Sequence, residues 1–578
     1  MIARLLTTCA LVLFCSATIA QTKWHNPLTA IAPVIQNQGW TSEIGNTFTR
    51  LPARAEKQVR KAVWNLSRDA AGLSIHFYSN APEITIRYHV KNAFAMPHMP
   101  ATGVSGVDLY AIDEEGKWKR ASGTYAFADT IIYSYKNLFP SRYHQKGFEY
   151  RLYLPLYNSV SWLEIGVPEN AYFEFIPTVK EKPVIVYGTS IAQGGCASRP
   201  AMGWTNILSR KLDYPVINLA FSGNGPFEKE VVDLINEQEA AAYVFDCLPN
   251  MGALSQEEVY NRVIYGVTAI RKKHPEPILL TDHIGYYNDQ TDSTRAIIWK
   301  RLNETQWKAF NALKKQGIKN LYYLAHDSIR FPEDGTVDYV HPNDLGMQAY
   351  ADAYESILRP ILKMPRGAIG TTQPISQRRE AGGYEWKQRH AQELQLNREQ
   401  PPVNVIIGNS ITHYWAGEPR ARIARGEKSW NQYLSSFRNM GFGWDRIENV
   451  LWRVYHGELD GFAARQIVLM IGTNNLGGNT DAAIVEGLGF LLQQIRLRQP
   501  QARIKLVGIF PRRNMELRIA SLNKQLQAVA KRGGFLFADP GKGLLLASGK
   551  IDESLFTDGL HPNEAGYSKL APGVASAR

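Results

Sequence analysis

The chain has 578 residues, 44% of them apolar and 20% charged, with 46 Gly and 30 Pro; this ordinary globular composition excludes wholesale disorder, collagen and long coiled coil. Lysine and arginine outnumber aspartate and glutamate by 65 to 53, a formal charge of +12. The basic residues are scattered, and no basic run is interleaved with aromatics, so nucleic acid is not an expected partner.

Arg4, the apolar run Leu5–Ile19 and the small residues of Thr18-Ile19-Ala20 have the layout of a secretory signal peptide over residues 1–20. Gln21 is the expected mature start, and the periplasm or the medium the expected destination. No later stretch approaches 18 uninterrupted apolar residues, so no stable membrane insertion is expected. Roughly 558 residues then remain, and at about 100–200 residues per domain three domains are the natural division. Cys196 and Cys247 stay in the mature chain. An exported pair can oxidise, but two small buried thiols is the favoured reading. Without a CxxC, a His at metal spacing, an HExxH, a complete P-loop or a complete GxGxxG, neither metal nor cofactor is expected.

Residues 21–178 read as β. Leu73–Tyr78, Glu83–Val90, Val107–Ile112, Phe148–Leu154 and Trp162–Ile165 are short strand-like runs, several alternating apolar and polar, with Gly, Pro, Asn or Asp between most of them. Many short strands and no convincing long helix predict a sandwich. From 179 to 362 the texture changes. Buried-strand runs at Pro183–Tyr187, Val216–Ala220, Ala242–Asp246, Ile278–Thr281 and Asn320–Leu324 alternate with helical patterns at Trp204–Leu212, Val231–Gln238, Glu257–Lys273 and Thr305–Gln316. That alternation predicts a parallel sheet covered on both faces. Residues 363–378, rich in Pro, Gly and Thr, read as a linker. A helix near Tyr384–Asn397 then opens a second α/β series over 379–578, with strands at Val403–Ile407, Ile467–Ile471 and Ile504–Ile509.

Comparing strand ends exposes a repeat. The first strand of one series ends in Gly188-Thr-Ser190-Ile, that of the other in Gly408-Asn-Ser410-Ile; open parallel sheets gather their active sites at such carboxyl ends. Neither serine sits in GxSxG, which argues against the α/β-hydrolase elbow. Each series closes with Asp-x-x-His-Pro-Asn, as Asp338…His341 and Asp558…His561. A three-residue offset lets the carboxylate reach His Nδ1 and leaves Nε2 free to take a serine proton. An oxyanion needs donors as well. Gly223, in Ser222-Gly-Asn-Gly, and Gly443-Trp444, in Gly441-Phe-Gly-Trp-Asp, follow the second strands, and Asn250 and Asn474 follow the third.

Ser, Gly, Asn and His in four ordered blocks at successive strand ends resemble the SGNH (GDSL-type) hydrolase family, over about 182–362 and again 380–570. In the second copy Gly441–Arg453, Gly-Thr-Asn474-Asn and Asp558-Gly-Leu-His-Pro-Asn resemble the branch related to platelet-activating-factor acetylhydrolase, and the first copy resembles a bacterial branch with a preceding β-sandwich. The resemblance implies two flavodoxin-like, three-layer α/β/α domains after the sandwich. It implies Ser190 and Ser410 as nucleophiles, His341 and His561 as bases, Asp338 and Asp558 as their orienting carboxylates, and the N–H of Gly223 with the amides of Asn250 and Asn474 as oxyanion donors, without metal or cofactor. The second copy departs at one point: Trp444 stands directly before the Asp, where the family has glycine, with Gly443 one residue earlier. The activity implied is ester hydrolysis through an acyl-serine. The exported, tandem, sandwich-bearing members are similar to carbohydrate O-acetylesterases, and the sialate O-acetylesterases with two SGNH domains are the nearest likeness, making an O-acetylated glycan or sialic acid the expected substrate partner. Arg199, in the loop after Ser190, could meet the sugar carboxylate. Acetylated xylan or pectin is the alternative, as is a glycan-binding protein with one active copy, for which Trp24, Trp40, Trp118 and Trp162 are the candidate platforms. The sequence carries no expectation about oligomeric state.

Overall fold

The computed structural model describes residues 21–381 and 384–576; the leader expected over 1–20 lies outside them. Among the described residues no helix is long and apolar enough to cross a membrane.

Two antiparallel sheets form the N-terminal sandwich. One runs Thr22–His25, Val160–Pro168, Ile84–Val90, Ile131–Tyr135, Thr124–Ala126; the other runs Phe173–Phe175, Ser74–Ser79, Phe148–Tyr153, Asp108–Ile112, Trp118–Arg120. Alternate residues such as Ile84, Ile86 and Tyr88 face inward, meeting Ile75, Phe77 and Leu152 of the facing sheet in one core, as a strand's two-residue period requires. All five expected strands are present. The sandwich is fused to the first α/β domain. Between its strands, short helices at Thr41–Ile44, Ala53–Lys57 and Lys61–Leu66 carry Leu51, Ala55, Val59 and Val63 into that domain's core, against Ile217, Leu219 and Val231. Arg50 seals this seam. Fully buried, it gives its donors to the carbonyls of Asp69, Asn218, Ala220 and Leu66 at 2.6–3.2 Å. Position 178 therefore divides the chain but not the cores.

Each α/β domain has a five-stranded parallel sheet in the order 2-1-3-4-5. In the first, Val184–Gly188 lies between Val216–Ala220 and Ala242–Asp246, followed outward by Ile278–Thr281 and Leu321–Leu324. In the second, Asn404–Gly408 lies between Phe437–Gly441 and Gln466–Met470, followed by Arg503–Val507 and Leu536–Ala538. This is the flavodoxin-like order, which opens a crevice beyond the carboxyl end of strand 1, where the order reverses. The register brings Gly188 level with Ala220 and Asp246, and Gly408 level with Gly441 and Met470.

The segment 363–378 does not behave as a free linker. Thr371, Thr372, Ser376, Gln377 and Arg378 are buried, Thr371 donates to the Ala483 carbonyl at 2.7 Å, and Asn449 donates to that of Ile375 at 2.9 Å. All three domains meet here. Arg378 pairs with Glu149 of the sandwich at 2.5 Å, Arg151 reaches Asp213 of the first α/β domain at 3.2 Å, and Trp452 of the second donates to the same aspartate at 2.9 Å. Burial alone would raise the Glu149 carboxyl; Arg378 and Arg151 overcome it and hold the group well below the usual carboxylate range.

Candidate active sites

Strand 1 of each α/β domain ends in a glycine because nothing larger fits the turn. A Cβ at Gly188 would lie 2.7 Å from Ala192 Cβ, and one at Gly408 would lie 2.1 Å from Thr412 Oγ1. The chain bends straight into one helical turn, Ser190–Gln193 or Ser410–His413, so both serines open a helix at the crevice.

The bases come from the last loop. Thr336 bridges Pro342, and Phe556 bridges Pro562, making tight loops. Asn343 and Asn563 then cap the closing helices, accepting from Gly346 and Gly566. Within the first loop Asp338 Oδ1 accepts from the N–H of His341 at 2.7 Å, and its Oδ2 meets His341 Nδ1 at 2.7 Å; His341 Nε2 lies 2.8 Å from Ser190 Oγ. The second loop repeats this with Asp558, at 2.7 Å from both the N–H and Nδ1 of His561, whose Nε2 lies 2.9 Å from Ser410 Oγ. Burial pulls both carboxyls upward, but the His backbone N–H and imidazole outweigh it and leave each below its ordinary value. An aspartate kept ionised fixes the imidazole tautomer and stabilises the imidazolium that forms when the serine proton arrives.

The oxyanion turns match residue for residue. Phe221 donates to the Gly188 carbonyl and Phe442 to that of Gly408, each at 3.0 Å; two residues on stand Gly223 and Trp444. Gly223 has φ +66° and Trp444 has φ +59°. Trp444, not Gly443, is thus the counterpart of Gly223, a bulky residue held in the left-handed region at about 1–3 kcal/mol of strain. Among the described residues nothing accepts from the N–H of either. A Cβ at Gly223 would meet no atom within 4 Å, so in the first copy this direction is open, and in the second it is where the indole leaves the turn.

Asn250 and Asn474 each grip the facing turn, through opposite ends of the amide. Asn250 Oδ1 accepts from Gly225 N–H at 3.0 Å, and Asn474 Nδ2 donates to the Asp445 carbonyl at 2.9 Å. The structure therefore brings Ser190, His341, Asp338, Gly223 and Asn250 to one crevice, and Ser410, His561, Asp558, Trp444 and Asn474 to the other, with Gly443 beside Trp444.

Arg199 is held at the seam with the sandwich. Its guanidinium sits 3.0 Å from Asp108 Oδ2 and 3.0 Å from the Tyr110 hydroxyl, with Asp108 also accepting from Ala201 N–H at 2.9 Å. Through Nη1 it docks the sandwich onto the loop after Ser190, with 20% of its side-chain surface still exposed. Trp24, Trp40, Trp118 and Trp162 are likewise engaged. Arg87 lies 3.7 Å from the ring centre of Trp24 and 5.4 Å from that of Trp162, Arg151 lies 4.3 Å from that of Trp118, and Trp40 is buried with its Nε1 on Glu237. Cys196 and Cys247 are free, buried thiols.

Four contributors were not read from sequence. His98, from the sandwich, has its ring 5.6 Å from that of His341. Gln377 donates to the Gly443 carbonyl at 3.1 Å and to Asp445 Oδ1 at 2.6 Å, bracing the second oxyanion turn. Arg425 lies on Tyr414, whose ring is 5.5 Å from His561, and donates to Thr557 Oγ1 at 2.9 Å; Arg512 reaches the Thr473 carbonyl at 3.4 Å. Both arginines are half-buried, and among the described residues neither has a carboxylate partner.

Two Ser–His–Asp relays at the switch points of flavodoxin-like sheets, each facing a turn with a free N–H and an asparagine, define serine hydrolases of the SGNH type. Family models described as "GDSL-like Lipase/Acylhydrolase family" match residues 181–359 and 406–569, and one described as "N-terminus of Esterase_SGNH_hydro-type" matches 22–173. That last stretch holds Gly106-Val-Asp108-Leu-Tyr110, whose Asp and Tyr carry the Arg199 contact. A putative GDSL-like lipase from Bacteroides ovatus is 31% identical and superposes with a TM-score of 0.55, covering 60% of this chain and 100% of its own. Human platelet-activating factor acetylhydrolase IB subunit alpha1 is 28% identical over 204 residues, 34% of this chain and 83% of that protein. Subunit alpha2 from Bos taurus is 27% identical over 196 residues, 33% of this chain and 81% of that protein. The chain belongs to the GDSL-like (SGNH) hydrolase family, and it is a carboxylic ester hydrolase.

Proposed function

We propose that the protein is an exported esterase that removes O-acetyl groups from carbohydrate, O-acetylated sialic acid above others, through two independent serine sites. Ser190 or Ser410 attacks the ester carbonyl, its proton passing to Nε2 of His341 or His561 as the Oγ–C bond forms. The N–H at Gly223 or Trp444 and the amide of Asn250 or Asn474 receive the oxyanion. Collapse expels the sugar alkoxide, which takes the proton from the imidazolium, and a water deprotonated by the same histidine releases acetate. Asp338 and Asp558 hold the imidazoles throughout.

The observation that carries the choice of a small acyl group is Trp444, which occupies in the second copy the direction left open at Gly223. The choice of an acidic sugar is supported by Arg425, on the Tyr414 ring beside His561, and Arg512, on the Thr473 carbonyl next to Asn474, two half-buried cations that among the described residues have no carboxylate partner; guanidinium is the group best matched to a carboxylate. The test is acetate release from 9-O-acetylated sialic acid and, in parallel, from acetylated xylan. Release from the sialate with higher kcat/KM upholds the reading. Release from xylan alone replaces the substrate and leaves the serine chemistry standing.

A further inference from the structure

His98, Cys196, Asp338 and His341 come from three stretches of chain that sequence spacing does not connect. One ligand atom from each lies within 4.8 Å of all the others. His98 is on an exposed loop of the sandwich, Cys196 is buried in the loop after Ser190, and the other two belong to the first triad. Thiolate, two imidazoles and a carboxylate are the donor types that zinc takes, in a tetrahedron with metal–ligand bonds of about 2.0–2.3 Å. Such a tetrahedron sets its ligands about 3.3–3.8 Å apart, so no pair of donors has to close by more than about 1.5 Å. The exposed side chain of His98 is the one free to move. His341 keeps 22% of its side-chain surface exposed, which leaves the cluster a way in from solvent.

We propose that the first triad is also a binding site for a divalent transition metal, Zn2+ by preference, held by His98, Cys196, Asp338 and His341, and that metal binding switches this copy off. Coordination takes the imidazole that serves Ser190 and the carboxylate that orients it, so the serine loses its base. The Cys196 thiol gives up its proton to solvent as the metal–sulfur bond forms. Among the described residues the second triad has no such set. The residue six positions after its serine is Ala416 instead of Cys, and the ring beside His561 is Tyr414 instead of His. One chain therefore carries a metal-sensitive and a metal-indifferent site, and the sandwich supplies the difference.

The site is read directly by titrating the full-length protein with Co2+. A thiolate-to-cobalt charge-transfer band is expected in wild type. It should be lost in Cys196→Ser and should need at least ~10-fold more metal in His98→Ala, since even outer-shell changes cost about 10–100-fold in metal affinity. His98 is exposed, so His98→Ala tests the site even if Cys196→Ser folds poorly. In the activity arm, Zn2+ should abolish ester hydrolysis by Ser410→Ala, which retains only the first site, and spare Ser190→Ala at the same concentration. Adding His98→Ala to Ser410→Ala should raise the half-inhibiting Zn2+ concentration at least ~10-fold. The absence of a thiolate band, equal inhibition of both copies, or indifference to His98→Ala overturns the proposal. The inhibition arm rests on the first copy being an esterase and the cobalt band does not, so an inactive Ser410→Ala that still shows the band refutes the first copy's catalysis alone.

Discussion

Trp444→Gly should widen the acyl range of the second site. In wild type the indole leaves the oxyanion turn along the direction in which a Cβ at Gly223 would meet no atom within 4 Å, and on the proposed reading it stands where an acyl chain longer than acetyl would extend. Restoring glycine opens room for further methylenes. Each buried methylene contributes about 0.8 kcal/mol, so butyryl over acetyl gains about 1.6 kcal/mol, or ~15-fold in kcat/KM. The substitution should not unfold the domain: release of a left-handed tryptophan returns about 1–3 kcal/mol, offsetting the packing lost by a half-buried indole. The assay compares p-nitrophenyl acetate with butyrate in a Ser190→Ala background, so that only the second site reports. Gly223→Trp in a Ser410→Ala background should do the reverse. An acetate-to-butyrate ratio unchanged in both variants would refute the equivalence of the two positions.

Asp338→Asn and Asp558→Asn should each lower kcat of their own copy by about 10⁴-fold through loss of the imidazole orientation, measured as acetate release with the other serine removed; a loss under tenfold contradicts the relay. Gln377→Ala should slow only the second site, by about tenfold, because it removes two hydrogen bonds of about 0.5–1.5 kcal/mol each from the oxyanion turn; equal effects on both copies would show a general loss of fold. Arg199→Ala should lower the melting temperature without changing KM for an acidic sugar, whereas Arg425→Ala should raise that KM and leave the melting temperature in place; the opposite pattern would restore Arg199 as the substrate contact. Burial pushes the Asp246 carboxyl up to about 7, against about 3.9 unfolded. The folded chain thus binds the extra proton, and stability present below about pH 4 is lost as pH rises through 7, by at most about 4 kcal/mol. Asp246→Asn should accordingly melt higher than wild type at pH 8, with the gain shrinking towards pH 5, and a gain constant over that range contradicts the assignment.

The two triads were legible because their parts are local. A buried strand ending in Gly-x-Ser and a carboxylate three residues before a histidine are short patterns, and their recurrence at the same 151-residue spacing made them hard to read as turns. Most parallel strands were legible as apolar runs bounded by turn residues; in the second sheet Phe437–Gly441 and Leu536–Ala538 were not. Phe437–Gly441 is the edge strand beside Asn404–Gly408, and its Arg438 and Asn439 are buried because their side chains satisfy backbone carbonyls, Asn439 those of Thr412 and Ala416; no apolar run announces it. Ile131–Tyr135 was missed because, after Ile131 and Ile132, serine and two tyrosines carry the alternation. What joins the domains was not legible at all. Arg199 meets Asp108 across 91 residues, and Arg378 meets Glu149 across 229. A Pro- and Gly-rich stretch reads as a tether whether or not it is buried, and Gln377 carries no sign of the turn it braces. His98 likewise carries no spacing relation to Cys196, so the absence of a metal motif in the sequence said nothing about the donors the fold assembles.

The central claim, two working serine relays in one chain, is tested most directly by counting covalent labels. A fluorophosphonate probe reacts only with a serine activated by its histidine, and intact-mass spectrometry counts the adducts. Two per chain in wild type, one each in Ser190→Ala and Ser410→Ala, and none in the double variant is the result the account predicts. A single label that vanishes with one serine, or any label that survives in the double variant, would contradict it.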